Sequence, residues 1–172
     1  YKTNIIGFSA TPELIYPLNN ILTKYSIYDA FLDNVILPPK IKWFKSNITF
    51  SDNDLINIIK DEIDLLPYKK IIIWCGIIDE CIKIATLWKK HFSDYNVCID
   101  FNNIKKYEGF YDYEHFYKSN GKSLLFCAVK HREGSDIPKL DGCIFMDCVN
   151  KRSQRVFIQC MGRVLRKDKE RK

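Results

Sequence analysis

The chain has 172 residues, of which 47% are hydrophobic and 28% are charged, the composition of a soluble globular protein with one domain, or one domain and part of another. Its apolar runs all fall short of the roughly 20 residues that span a bilayer, and it opens without a signal peptide, so we expect no membrane partner. The net charge of +6 comes from residues 151–172, which hold nine Lys or Arg and two acidic side chains. Such a basic run more often marks a solvated tail than a nucleic-acid site.

The seven cysteines are scattered along the chain, and no two of them have the CxxC spacing. Cys75, Cys127 and Cys143 lie inside apolar, strand-like runs. We therefore expect buried free thiols, and not metal ligands or disulfides, in a protein of a reducing intracellular compartment.

In chain order, the first segment is "NIIGFSATP", a short apolar run that ends in a turn sequence. A helix is predicted next, at 13–24, where leucine and isoleucine side chains share one face. The Pro-Pro step within 37–40 cannot continue a helix, so a linker or domain boundary is predicted there.

After this linker, strands and helices alternate. The predicted elements are a strand at 41–48, a helix at 51–66, a strand at 69–75, a helix at 79–92, a strand at 96–101, a short helix at 111–118, strands at 123–129 and 141–147, and a helix at 152–161. The strand at 69–75 is apolar on both faces, the pattern of a buried parallel strand. The alternation predicts an α/β fold with a mainly parallel sheet and helices on both faces.

Polar or glycine-bearing loops follow three of the predicted strands. They contain Gly76, the stretch "KHREGSDIP" at 130–138 and the stretch "CVNKRSQ" at 148–154. Ligands of such folds bind at the carboxyl ends of the strands, so these loops are where we expect a site. Taken singly, each loop is explained equally well as a turn between two elements.

Two other kinds of site are not indicated. The stretch "SNGKS" at 119–123 contains the Gly-Lys-Ser of a phosphate-binding P-loop, but Phe116 stands where that motif needs glycine, and the stretch precedes a strand. A glycine at the C-cap of a helix is the better interpretation. His91, His115 and His131 are far apart without metal-binding spacing, so no metal site is predicted.

The last predicted helix carries an unusual polar face. Gln159, Arg163 and Arg166 fall within about 60° of one another around a helix axis. The two arginines repel each other, and Gly162 costs the helix about 1 kcal/mol relative to alanine. An anion bound beside this face would account for both features; a solvated basic face is the alternative.

Three segments resemble motifs of superfamily 2 helicases. "GFSATP" (7–12), "CAVKHREGSDIP" (127–138) and "QCMGRVLR" (159–166) resemble motifs III, V and VI in that order and at matching distances, and "IIIWCG" (71–76) resembles motif IV. The resemblance covers nearly the whole chain. It is closer to the restriction-enzyme and XPB-like branch than to DEAD-box proteins, because motif VI begins with glutamine and motif V lacks RGxD.

The resemblance implies a fold and a partner. Such helicases bind ATP between two RecA-like lobes, each a three-layer sandwich. This chain would hold the end of the first lobe with motif III and the connector (1–36) and the whole second lobe (37–172). We expect it to be a piece of a longer protein, because it starts at Tyr1 and lacks both the P-loop and the acidic magnesium motif. ATP and Mg²⁺ would be held mainly by the absent part of the first lobe, and the fragment alone would be inactive.

The resemblance also implies residue roles. Arg163 and Arg166 match the arginine fingers that reach the γ-phosphate, and Gln159 matches the motif VI glutamine near the nucleotide. The remaining matches are Gly134, Asp136 and Glu133 for the nucleotide, Ser9 and Thr11 for coupling hydrolysis to strand movement, and Gly76, Lys130, His131 and Arg132 for the nucleic-acid backbone.

Two functions stay open at this point. The first is a lobe of an ATP-dependent helicase or translocase, acting on DNA more readily than on RNA. The second is a non-motor RecA-like module that binds nucleic acid or a protein partner without ATP turnover.

Overall fold

The computed structural model describes residues 24–43, 51–64, 69–101, 107–132, 134–147 and 153–167. The strands in these ranges are β1 (Lys70–Trp74), β2 (Asn96–Ile99), β3 (Ser123–Cys127) and β4 (Gly142–Phe145), and the helices are α1 (Ile27–Leu32), α2 (Asp52–Asp64), α3 (Ile78–His91), α4 (Tyr113–Lys118) and α5 (Gln154–Val164).

The four strands form one parallel sheet in the order β2-β3-β1-β4. In the centre, Ile72 of β1 pairs with Leu125 of β3 on one side and Cys143 of β4 on the other. Parallel strands need crossover connections: α3 lies in the one from β1 to β2 and α4 in the one from β2 to β3, whereas the described residues between β3 and β4 form no helix. The parallel sheet confirms the prediction made from the alternating pattern.

Helices cover both faces of the sheet. Neighbouring side chains of a strand point to opposite faces, so each strand contributes to both cores. On one face, Ile71 and Ile73 belong to a core shared with α2 and α3. On the other face, Ile72 and Trp74 belong to a second core with α4 and α5. Every residue of β1 is therefore buried, and the molecule has the three layers that the sequence predicts.

The helices bury the stripes that their periodicity indicates. In α3 the buried residues are Cys81, Ile84, Ala85 and Trp88, which lie three and four positions apart. Trp88 is inaccessible to solvent and meets Phe126 of β3 edge to face at 5.4 Å between ring centroids. Packing of this kind makes α3 part of the core rather than a surface addition.

Some elements differ from the prediction. Helix α1 was not expected, because it carries no long apolar stripe; it starts at a capping box in which Ser26 and Asp29 bond each other's main-chain N–H groups. Residues 41–43 of the strand expected at 41–48 have no regular structure. Helix α5 continues to Val164 instead of ending at 161, but Arg166 lies beyond its end and is therefore not on one helical face with Gln159 and Arg163, as was predicted. Helix α4 ends at Lys118 with Ser119 as its C-cap, so Gly121 is not the C-cap.

Other predictions fall outside the described residues. They are the turn at 7–12, nearly all of the helix at 13–24, the strand residues 44–48, the last two residues of the helix at 51–66, and most of the loop at 148–154.

The segment before the Pro-Pro step attaches to the end of α5. Ile36 forms an antiparallel bridge with Arg166, and the N–H of Leu37 donates to the carbonyl oxygen of Leu165 at 2.9 Å. The side chain of Lys167 also bonds that of Asn34. The predicted domain boundary at residue 36 stays a prediction. Asn34 and Ile36, which lie before this boundary, contact residues at the end of the second predicted domain.

Five of the six cysteines in the described ranges are buried, and all six are free thiols. Burial raises the pKa of Cys98 to about 12 and holds that of Cys127 well above its ordinary value, since a buried thiolate is poorly solvated.

Among the helices of the described ranges, none has the length and apolarity needed to cross a membrane.

Candidate functional site

The carboxyl ends of the strands meet at one edge of the sheet and carry charged residues. Asp100 comes directly after β2, Lys130, His131 and Arg132 follow β3, and Asp147 follows β4. Gly76 lies beyond the end of β1, at the start of the connection to α3. The predicted residues that follow the strands are therefore gathered along this edge, as the parallel topology requires.

Asp100 binds two consecutive residues of the loop after β3. Its Oδ1 accepts from Lys130 Nζ at 2.6 Å, and its Oδ2 lies 2.7 Å from His131 Nε2. The carbonyl oxygen of Lys130 also accepts from Trp74 Nε1 at 3.0 Å. The beginning of this loop is thus held by both a neighbouring strand end and the buried tryptophan of β1.

His131 is constrained through both its backbone and its side chain. Its backbone has φ of 66°, in the left-handed region, and its side chain is buried. The ring stacks on Tyr113 with centroids 4.3 Å apart, and Nδ1 lies 2.7 Å from Ser135 Oγ. Burial lowers the pKa of His131, and the hydrogen bond to Asp100 only partly opposes this effect.

Arg132 and Asp147 face each other across the end of β1. Arg132 Nη2 lies 3.5 Å from Asp147 Oδ2, and both side chains are largely buried. Gly76 lies beside them: a Cβ placed on it would be 3.6 Å from Asp147 Cβ and from Glu80 Oε2. This is ordinary contact distance, so alanine would fit at position 76, and the glycine is not required by crowding within this chain.

Arg163 of α5 and Arg166, which lies just beyond α5, contact the second half of the same loop. Arg163 Nη1 donates to the carbonyl oxygen of Ser135 at 2.9 Å, and Arg166 forms an ion pair with Asp136. Gly134 has φ of 72°, which favours glycine at this turn. The segments that resemble motifs V and VI, distant in sequence, are therefore brought together.

Gln159 and Arg163 each hold a buried polar atom that has no partner within the described part of the chain. These atoms are the acceptor Oε1 of Gln159 and the donor Nε of Arg163, one helical turn apart. An unsatisfied buried polar group costs about 1–3 kcal/mol, and because both atoms are closed off from solvent, a ligand could bond them only if the side chains around them moved. Guanidinium groups with free donors fit the oxygens of a phosphate chain.

The predicted site residues that the structure describes fall into two groups. Arg163, Arg166, Gly134 and Asp136 lie together at the contact of α5 with the loop, while Lys130, His131, Arg132 and Gly76 line the carboxyl edge. Glu133, Ser9 and Thr11 lie outside the described residues. Nor does the described part of the chain contain a group of three His, Cys, Asp or Glu side chains suited to a metal ion.

Three participants were missed by sequence reasoning. Asp100 directly follows β2 and Asp147 lies two residues beyond β4, so the rule that ligands bind at the carboxyl ends of parallel strands contained the signal that could have found them. Ser135 lies inside a segment already singled out, but no pattern indicates that its hydroxyl and carbonyl both have partners.

No protein-family model, no curated protein and no solved structure matches this chain.

Proposed function

We propose that this chain contains the second RecA-like lobe of an ATP-dependent helicase or translocase, with DNA favoured over RNA. Arg163 and Arg166 would act on ATP that is held, together with Mg²⁺, by a first lobe of the same polypeptide. The observation that carries the proposal is that both arginines contact consecutive residues of one loop, Ser135 and Asp136. Segments that resemble motifs V and VI thereby share one surface.

The proposed role of this surface is to neutralise negative charge on the γ-phosphate. In phosphoryl transfer negative charge spreads over the γ-phosphate oxygens, and arginine side chains stabilise it by factors of about 10³–10⁵ in rate. Arg163 uses Nη1 for Ser135 and its Nε is buried, so an oxyanion would be bound by the remaining N–H groups of the two Nη atoms. Mg²⁺ would supply charge neutralisation between the phosphates from its site on the first lobe.

To act on ATP, Arg166 would exchange its ion pair with Asp136 for a contact with phosphate. Its ion pair with Asp136 joins side chains that are 45% and 82% exposed, and exposed pairs contribute only about 0–1 kcal/mol. Replacing Asp136 by a phosphate oxygen is therefore inexpensive. Asp136 would then be free to contact the ribose, as the resemblance implies.

The nucleic-acid track is proposed along the carboxyl edge of the sheet. Lys130 and Arg132 are each paired with an aspartate, so a backbone phosphate would compete with a carboxylate for them. Binding by such residues should weaken steeply with salt. Both ring nitrogens of His131 are bonded, so its contribution would come through its main-chain atoms.

The non-motor module is the second candidate. Arg163 and Arg166 already have partners inside the chain, which favours a structural role for them in holding the loop. A module of this kind would bind nucleic acid or a protein partner through the same edge and would not need the arginines for turnover.

The test uses the full-length protein with Arg163→Ala and Arg166→Ala. We expect nucleic-acid-stimulated ATP hydrolysis to fall by about 10³–10⁵ while ATP affinity changes little, because the arginines act on the transition state. Lys118→Ala is the matched control, since it removes an exposed positive charge from α4 on a side chain that bonds Glu114, one turn away in the same helix. Unchanged turnover in both arginine variants would overturn the motor function; nucleic-acid binding that persists in a protein without turnover would favour the module.

A further inference from the structure

Asp100 is the first residue in a chain of hydrogen bonds, and its backbone is bonded to the sheet. Its N–H donates to the carbonyl oxygen of Phe126 at 3.0 Å, which continues the pairing of β2 with β3 by one residue. Its two carboxylate oxygens are divided between Lys130 and His131. The backbone position of Asp100 is therefore set by the sheet, and not by the loop that its carboxylate binds.

The proton positions along this chain follow from the donors and acceptors present. A carboxylate only accepts, so Nε2 of His131 must carry a proton toward Asp100. In the neutral ring Nδ1 is then an acceptor, and the hydroxyl of Ser135 donates to it. Asp100 thus selects the histidine tautomer, and the tautomer selects the direction in which Ser135 donates.

His131 adopts a backbone conformation that its surroundings must maintain. A non-glycine residue in the left-handed region is uncommon, and such residues persist where several contacts hold them. Here two hydrogen bonds and the stacked ring of Tyr113 act on the imidazole from different directions. The turn at His131 therefore depends on its side chain.

The last link is the main chain of Ser135. Its hydroxyl is held by His131, and its carbonyl oxygen accepts the hydrogen bond from Arg163 Nη1 at 2.9 Å. Any motion of residue 135 moves the acceptor to which the guanidinium is bound. The orientation of Arg163 is in this way connected to Asp100, a residue of a different strand end.

We propose that Asp100, His131 and Ser135 form a positioning relay that holds the loop after β3 and, through the Ser135 carbonyl, sets the orientation of the Arg163 guanidinium. None of the three residues touches the reacting atoms. The consequence for ATP turnover rests on the proposed function, whereas the orientation of Arg163 can be measured without it.

The first measurement is side-chain ¹⁵N NMR of the 172-residue chain. We expect His131 to be protonated at Nε2 and not at Nδ1, and Arg163 to give separate Nη signals because its hydrogen bond slows rotation of the guanidinium. In Ser135→Ala, which removes the hydroxyl and keeps the carbonyl, these Arg163 signals should merge. Ser135→Thr restores a hydroxyl and should keep them separate, with the main-chain amide spectrum reporting that all variants fold.

The second measurement is ATP hydrolysis by the full-length protein. We expect Ser135→Ala to lower kcat at least tenfold with KM for ATP changed less than about threefold, and Ser135→Thr to restore most of the loss, because the relay acts through an arginine used in the transition state. Separate Arg163 signals in Ser135→Ala, or a His131 protonated at Nδ1 alone, would overturn the relay. If the signals merge but Arg163→Ala leaves turnover intact, the relay stands and the proposed function fails.

Discussion

Arg166 and Asp136 form an ion pair between residues 30 positions apart, and the backbone of the same arginine forms a bridge with Ile36. Arg166 therefore joins three segments: the end of α5, the loop after β3 and the segment that precedes the Pro-Pro step. A displacement of that segment, which leads toward the proposed first lobe, would be transmitted directly to one of the two proposed arginine fingers.

Removing the negative charge of Asp136 should have little effect on stability. The pair is exposed, so we expect Asp136→Asn to change the free energy of unfolding of the chain by less than about 1 kcal/mol. Urea denaturation measures this change. A loss above about 2 kcal/mol would mean that the pair maintains the loop, contrary to the easy exchange of partners assigned to Arg166.

Gly162 offers a test that separates stability from function. It lies inside α5, and a Cβ placed there meets no atom within 4 Å beyond the helix itself. We therefore expect Gly162→Ala to stabilise the isolated chain by about 1 kcal/mol, the usual difference between the two residues in a helix.

In the full-length protein the same substitution should lower ATP turnover if the first lobe approaches this face of α5 closely. Asn57→Ala is the matched control, because it also improves helix propensity, at an exposed position of α2 on the other face of the sheet. Equal turnover in Gly162→Ala and Asn57→Ala would mean that no close approach occurs at residue 162.

The burial of His131 predicts a dependence of stability on pH. Its pKa in the folded protein lies below the ordinary value of 6.5, so the unfolded chain binds its proton more readily. Stability from this residue is fully present above about pH 6.5 and is lost as the pH falls below that value toward the folded pKa.

Unfolding free energies measured between about pH 5 and pH 8 should show this loss, and His131→Asn should reduce the slope. Asparagine is the chosen replacement because it tolerates the left-handed backbone that residue 131 adopts. The same slope in both proteins would show that the acid sensitivity arises from other groups.

Lys70 is a buried lysine whose side chain is used for packing and hydrogen bonding. It is 1% exposed; its Nζ donates to the carbonyl oxygen of Tyr117 at 3.1 Å and lies 4.8 Å from the ring centroid of Phe116. Lys70→Ala should destabilise the chain by about 2–5 kcal/mol, because it leaves a cavity and an unpaired carbonyl.

Lys70→Met keeps the volume of the stem and avoids the cavity but also leaves the Tyr117 carbonyl without this donor, so it should cost about 1–3 kcal/mol, less than Lys70→Ala. Chemical denaturation of the two variants measures both values. Equal losses would mean that the ammonium group, and not the packing of its stem, is what β1 requires at this position.

The layers of the fold were predictable because they depend on local periodicity. Between Lys70 and Trp74, β1 has only isoleucine, so it is apolar on both faces. In α3 the buried residues recur every three or four positions. Helix α1 was missed because only Ala30 is buried in it, so its signal was the capping box at Ser26 and not a stripe.

The candidate site was predictable in part. The order of strands and loops predicts that Lys130, Arg132 and Gly76 meet at one edge, since all parallel strands end there. The same argument does not predict that Asp100 and Asp147 pair with the basic residues, nor that the ring of His131 is turned inward between two partners.

By itself, the sequence determined the alternation of strands and helices from β1 onward, which of their faces are buried and at which edge the polar loops gather, because hydrophobic periodicity is a property of neighbouring residues. Only the tertiary structure decided the partners of the polar side chains: His131 with Asp100, Arg163 with the carbonyl of Ser135, Arg166 with Asp136. A hydrogen bond needs two groups within about 3 Å in a defined direction, and residues 28 to 31 positions apart reach that separation only after the sheet and α5 have packed together.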